Sequence, residues 1–146
     1  MGRNTRKSKG RAHIHPYVQY QRRVLEHPKF LALPPQAHKA LNYLAGQYRG
    51  NNNGDLCIAW KIARKKGWTS NGSLRDGVRK LIDAGFVVQT RQGGRNSASL
   101  YALAWFPIDE CGGKLDMAPT NVAPNAWLTI GNLSEPMAVQ REPTPV

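Results

Sequence analysis

Residues 69–86 read TSNGSLRDGVRKLIDAGF, and the spacing of their apolar side chains predicts one amphipathic helix over residues 70–84. Leu74, Val78, Leu81 and Ile82 fall on a single stripe, while Gly72, Arg75, Arg79 and Lys80 lie on or beside the opposite face. Ser70 or Asn71 is placed to accept from a free backbone N–H at the start, and Gly85 to supply the left-handed residue that ends the helix. One side is built to pack, and the other is left to touch a partner.

Working back toward the N-terminus, Gly67-Trp68-Thr69 is a turn of about three residues, the connection length of a helix-turn-helix. Before it, Ile58 to Lys66 is expected to be a second helix, with Ile58, Ala59, Ile62 and Ala63 inward and Lys61, Arg64, Lys65 and Lys66 outward. Trp60 and Trp68 are read as packing residues, because aromatic stacking on bases mainly serves single strands. Asp55-Leu56-Cys57 is long enough only for a short pairing segment, and Gly50-Asn51-Asn52-Asn53-Gly54 is a run of turn formers. A first helix is expected from Pro34 or Pro35 through Arg49, with Ala37, Ala40, Leu41, Leu44, Ala45 and Tyr48 as its inner face. Phe30, Leu31 and Leu33 form a short apolar entry to it.

After Gly85 the period changes from helical to alternating. Residues 86–91 and 97–105 are expected to pair as a hairpin about the turn 92–96. With Gly93 and Gly94 at its tip, Arg91 would face Asn96 and Arg95 would project beside the turn. Helix, short strand, helix, helix, hairpin is the order of an α+β winged helix-turn-helix, with 70–84 as recognition helix and 86–105 as wing.

The totals agree with a small binding domain. A chain of 146 residues accommodates one domain with tails, which excludes a large multi-domain enzyme. The formal net charge of +12 points to a polyanion, since Lys and Arg gain affinity by displacing counterions condensed on nucleic acid. Anionic lipid is the other polyanion to weigh. Lys and Arg outnumber acids by eight to one in residues 1–29 and eleven to three in 30–106, but are outnumbered two to five in 107–146. The C-terminal tail is therefore not part of the basic surface.

Three regions are expected: a basic, disordered arm over residues 1–24, a domain over 25–106, and a Pro- and Asn-bearing, largely irregular tail over 107–146. The arm, with Arg3, Arg6, Lys7, Lys9, Arg11, Arg22 and Arg23, would add phosphate affinity. The apolar cluster Trp127 to Ile130 in the tail either packs back on the domain or docks a protein partner, and packing back is favoured because an exposed Trp-Leu-Ile group is a liability.

Two cysteines without close spacing indicate neither a disulfide framework nor a zinc site, so a reducing bacterial cytosol or nucleoid is the expected location. No apolar run approaches a membrane span, and the basic N-terminus lacks the hydrophobic segment of a signal peptide. Gly2 hints at myristoylation, but Arg6 stands where Ser or Thr is required.

Three stretches, NNNGDL (51–56), GWTSNGSLRDGVRKLIDAGF (67–86) and TRQGGRNSASLYAL (90–103), resemble the small winged-helix proteins of bacterial prophages and plasmids, including the N-terminal domains of phage-type replication initiators. The resemblance implies a recognition helix in the major groove of duplex DNA and a wing on the backbone or minor groove. It implies a role as a transcription regulator or a replication-initiation protein of a mobile element; apart from the resemblance, a homodimer is left open as a partner, since the sequence does not reveal the oligomeric state. The family pattern is departed from at Asp76, in the middle of the outward face, where a phosphate would repel it. Three readings stay open there: acceptance from a cytosine amino group, pairing with Arg79 or Lys80, or contact with the bases only through the N-terminal part of the helix.

Base-edge contacts are assigned to Asn71, Ser73, Arg75 and Arg79, because Arg can fork onto guanine and Asn onto adenine, with Gly72 letting the backbone approach. Phosphate contacts are assigned to Arg64, Lys65, Lys66, Lys80, Arg91, Arg95 and Asn96. No phosphate-loop, HExxH, GxSxG or paired-carboxylate motif is present, so no catalytic residue, metal or cofactor is expected. His13, His15 and His38 are read as ordinary surface or phosphate-contacting residues. The rival readings are a basic RNA-binding or ribosome-associated protein and a winged-helix module for protein interaction.

Overall fold

A computed structural model describes residues 15–129 and shows a mixed α/β chain of five helices and one two-stranded antiparallel hairpin. The helices are α1 (Arg22–Leu25), α2 (Pro28–Leu31), α3 (Pro35–Ala45), α4 (Trp60–Ala63) and α5 (Asn71–Ala84). The strands are β1 (Val87–Arg91) and β2 (Leu100–Leu103).

Helix α5 forms where its period requires. Ser70 caps it, its Oγ accepting from the Ser73 N–H at 3.1 Å, and Gly85 closes it at φ 89°. Gly85 also lies under a second segment of chain: a Cβ there would stand 2.5 Å from the Trp127 nitrogen. Leu74, Val78 and Leu81 are buried and Ile82 half-buried, so the apolar stripe faces the core. The helix packs on α3 through Gly77, where a Cβ would meet the Gln36 carbonyl oxygen at 2.5 Å. This close crossing is the reason for glycine in mid-helix, where its backbone entropy otherwise costs about 1 kcal/mol.

Helix α3 starts at Pro35 but ends at Ala45 instead of Arg49. The end tightens through Gln47 N–H to the Leu44 carbonyl and Tyr48 N–H to the Ala45 carbonyl. Gln47 is then claimed by the neighbouring segment, donating to the Cys57 carbonyl and accepting from its N–H, both at 2.9 Å. The second helix is also shorter than its apolar spacing implies. It begins at Trp60, because Ala59 lies outside the helical region at φ −53° and ψ 124°, and passes into a 3-10 turn over Arg64–Lys66 that stops at Gly67, φ 95°.

In the hairpin Val87 pairs with Leu103, Val88 with Ala102, Gln89 with Tyr101 and Arg91 with Leu100. Thr90 is the extra residue of a bulge, turned inward to donate its hydroxyl to the Gly54 carbonyl at 2.6 Å. Gly94 pairs with Ser97, so Arg95 and Asn96 form the tip. Arg91 accordingly faces Leu100 and not Asn96: the turn lies at Arg95–Asn96 instead of the expected Gly93–Gly94, and the bulge changes the register beyond it by one residue. Leu56 adds a third, one-residue rung by exchanging both backbone bonds with Tyr101, at 3.2 and 2.8 Å.

The turn-former run 50–54 has a structural centre in Asn53, which is fully buried. Its Nδ2 donates to the carbonyls of Leu103, Phe106 and Pro107, and its Oδ1 accepts from the Leu103 N–H at 2.8 Å. One amide thus satisfies the end of β2 and the exit from it, as a buried polar group must.

The core extends past both limits expected of the domain. Val24 is fully buried and Tyr20 stacks on Trp105 at 5.4 Å, so packing begins inside the stretch expected to be an arm. Residues 1–14, with the basic cluster of that arm and His13, lie outside the described residues. The tail is irregular in backbone, yet Ile108 and Trp127 are buried. Trp127 stacks on Phe86 at 5.8 Å, Arg23 lies over its ring, and the Lys29 ammonium donates to its carbonyl at 2.7 Å. The cluster around Trp127 therefore packs back on the domain, while Ile130 lies outside the described residues.

Candidate functional site

Between α5 and the hairpin runs an open groove of about 680 Å³. Asn71, Arg75 and Arg79 form its helix wall, at intervals of one turn, because i, i+4 and i+8 share a face. The opposite wall is Gln89 from β1 with Gln92, Gly93 and Ser97–Ser99 around the hairpin turn. Apolar atoms of Ile58, Trp60, Val78 and Ile82 make the floor, and none of the residues lining the groove is acidic.

The groove is held open by ordinary backbone chemistry. At Gly93 the two arms of the hairpin approach so closely that a Cβ would stand 2.4 Å from the Ser99 nitrogen, and the Gly93 N–H donates to Ser99 Oγ at 2.8 Å. Gln89 reaches along the same rim, donating to Gln92 Oε1 at 3.3 Å and Ser99 Oγ at 3.4 Å. At the base, burial pushes the Tyr101 phenol up from its ordinary range, partly offset by a hydrogen bond with Ser99 and the charge of Arg75. Arg75 is thus close enough to Tyr101 to be felt, yet among the described residues it has no ion pair and no hydrogen bond. Its five donors remain available to an acceptor.

Asp76 is engaged within the protein through both of its oxygens. One carboxylate oxygen accepts from Gln36 of α3 at 2.7 Å, and the other is shared by Arg79 and by Lys80 at 3.2 Å. Of the three readings left open by the sequence, pairing within the protein is the one present. Arg79 is therefore on the groove wall but already partnered, and Lys80 is drawn toward Asp76.

The remaining residues assigned from the sequence do not gather on the groove. Ser73 is exposed elsewhere on the first turn of α5. Arg64 and Lys65 are exposed on the 3-10 turn before α5, and Lys66 borders a separate depression with Asn42, Tyr43 and Asp55. The Arg91 guanidinium turns back on its own hairpin, donating to the Ala98 carbonyl from Nε at 3.2 Å and Nη2 at 2.8 Å. Arg95 and Asn96 stand exposed at the tip. Trp68 is buried under Lys39, whose ammonium lies 4.7 Å from the ring centre, whereas Trp60 contributes to the groove floor.

Gln89, Gln92, Ser97 and Ser99 were not singled out from the sequence. Burial along β1 runs buried, half-buried, exposed, buried and half-buried, so strict alternation from buried Val87 would have turned Gln89 inward and gave no signal for it. Gln92 and the serines have no signal either, because the loop that presents them is shaped by the Gly94–Ser97 bridge and the close approach of Gly93 to Ser99.

Among the described residues no group of His, Cys, Asp or Glu side chains is arranged to hold a metal ion, no helix is long and apolar enough to cross a membrane, and Cys57 and Cys111 are free thiols. Comparison of the chain with protein-family models, with curated proteins and with solved structures finds no match.

Proposed function

We propose that this chain is a winged helix-turn-helix protein that binds duplex DNA sequence-specifically, with α5 in the major groove and the hairpin as a wing against the backbone or minor groove. The observation that carries the reading is the acid-free groove whose helix wall presents Asn71 and an unpartnered Arg75 opposite a polar hairpin rim. Asn and Arg are the two side chains that read adenine and guanine edges in forked geometry, and one exposed helix face brings them to a groove together. The short α4, the turn at Gly67 and the Leu56 rung beside β2 support it, since they supply the remaining parts in the expected order. The exposed cations Lys61, Arg64 and Lys65 before α5 and Arg95 at the hairpin tip, outside the groove itself, would serve as phosphate contacts that set register without reading sequence. In this reading the protein is a transcription regulator or a replication initiator of a mobile element, acting in the bacterial cytosol.

Selection of sites by the full chain from a random duplex pool tests the reading. A preferred site should emerge, with an affinity that falls steeply as salt rises and is little affected by structured RNA, whose narrow major groove excludes the helix. A palindromic site would indicate a dimeric regulator, and repeated direct sites an initiator. Displacement by structured RNA as effective as by duplex, or binding indifferent to salt, would refute it.

A further inference from the structure

We propose that Asp76 is a specificity-determining residue that withholds Arg79 and Lys80 from phosphate, so that α5 meets DNA with Arg75 and Asn71 as its unengaged polar contacts. The proposal rests on the duplex-binding reading. Its basis is the placement of one carboxylate among Arg75, Arg79 and Lys80 on the outward side of α5, where exposed Asp83 is the other acid, with Gln36 on one oxygen and Arg79 and Lys80 on the other. Exposed ion pairs formed only along a helix are easily exchanged for solvent or another anion. This one is anchored from outside the helix, because Gln36 sits in the first turn of α3, against which α5 is packed at Gly77. The same contacts, Gln36 first and Lys80 next, hold the Asp76 carboxyl below its usual range, so it is ionised wherever the domain is folded at neutral pH.

The consequence follows from how the two kinds of binding arise. Affinity for arbitrary duplex is a sum over neutralised phosphates, so each cation sequestered by a carboxylate is removed from that sum. Contacts to base edges by Arg75 and Asn71 are untouched. A complex held in one register by base contacts has little freedom to bring additional cations to phosphate, whereas a register-free complex can settle wherever they reach. Asp76 therefore lowers binding to arbitrary duplex more than binding to the preferred site. In this account the acid on the outward face has a use.

The test measures binding of the full chain to a selected duplex and to a random duplex over a range of salt, for the unaltered protein, Asp76→Asn and Asp76→Glu. Asp76→Asn is expected to bind random duplex about three- to tenfold more tightly at low salt, with the salt slope steeper by about 1, and to lose selectivity by a similar factor. Asp76→Glu keeps the charge within reach of both cations and is expected to retain the original slope and selectivity. A destabilised helix would weaken binding and leave the slope unchanged or shallower, so a merely structural role is separated from this one. An Asp76→Asn protein with unchanged slope and selectivity would overturn the proposal, as would an Asp76→Glu protein with the steeper slope and lost selectivity expected of Asp76→Asn. If the unaltered protein bound no duplex at all, the duplex-binding reading would fail, and the proposal with it. If it bound normally and only the variants failed to respond, this proposal alone would fail.

Discussion

Alanine at Gly77 and alanine at Gly72 should move stability in opposite directions, although both glycines lie in the same helix. At Gly77 the added Cβ would stand 2.5 Å from the Gln36 oxygen, 2.9 Å from its carbonyl carbon and 3.3 Å from the Ala37 Cα. All three obstacles are backbone atoms of α3, so no side-chain rotation relieves them, and α3 must retreat by roughly 1 Å to restore ordinary contact distances. Overpacking costs about 1–3 kcal/mol, and obstacles that are all backbone put this site in the upper part of that range, about 2–3 kcal/mol, offset in part by the roughly 1 kcal/mol that alanine gains over glycine in a helix. The expected net loss for Gly77→Ala is about 1–2 kcal/mol, lowering Tm by roughly 5–10 °C for a domain of this size. At Gly72 the nearest atom to an added Cβ is Ser70 Oγ at 3.7 Å, so only the helix term remains. Gly72→Ala should then stabilise by up to about 1 kcal/mol, while weakening duplex binding if the backbone there approaches DNA. Thermal unfolding followed by far-ultraviolet circular dichroism measures both. A Gly77→Ala protein as stable as the parent would refute the close α3–α5 crossing.

Two further outcomes are expected. Asn53→Ala leaves the Leu103 N–H and three carbonyls without their buried partner and should cost about 2–4 kcal/mol in urea unfolding, against near neutrality at exposed Asn51. For His27, burial and the neighbouring Lys29 charge lower the pKa from the ordinary 6.5, and Nδ1 must be unprotonated to accept from the Lys29 N–H. The unfolded chain then binds the proton more readily than the folded one, so this contribution is complete above about pH 6.5 and is lost as pH falls through the folded pKa. Unfolding of the parent should show that loss below about pH 6.5, and His27→Asn, which still caps α2, should flatten it.

Helix α5 was legible almost to the residue, because a cap, a stripe and a terminal glycine agree locally and none depends on distant chain. The hairpin was legible as alternation, but its register was not. A bulge at Thr90 is stabilised by the carbonyl of Gly54, more than thirty residues away in sequence, and one extra residue moves every later pairing. Short helices α1 and α2 have too few residues for a period to appear and are held by contacts of Val24 and Phe30 with the core. Trp127 was visible as an apolar cluster, whereas its seat against Phe86 and His27 is a tertiary fact.

The site divides in the same way. Asn71, Arg75 and Arg79 were recoverable from helical spacing alone. Arg91 was misjudged in its surroundings, because its guanidinium satisfies the Ala98 carbonyl of its own hairpin. The groove itself, a relation between an amphipathic helix and a loop twenty residues later, appears only once both are packed on the same core.

Whether Arg75 reads a base is decided by the affinity of Arg75→Ala for a selected duplex and for a random one at equal salt. A loss of about 1–3 kcal/mol on the selected duplex, a much smaller loss on the random one, and relaxed preference at a single base position are expected. Equal losses on both duplexes would contradict base reading and reduce Arg75 to one more charge against phosphate.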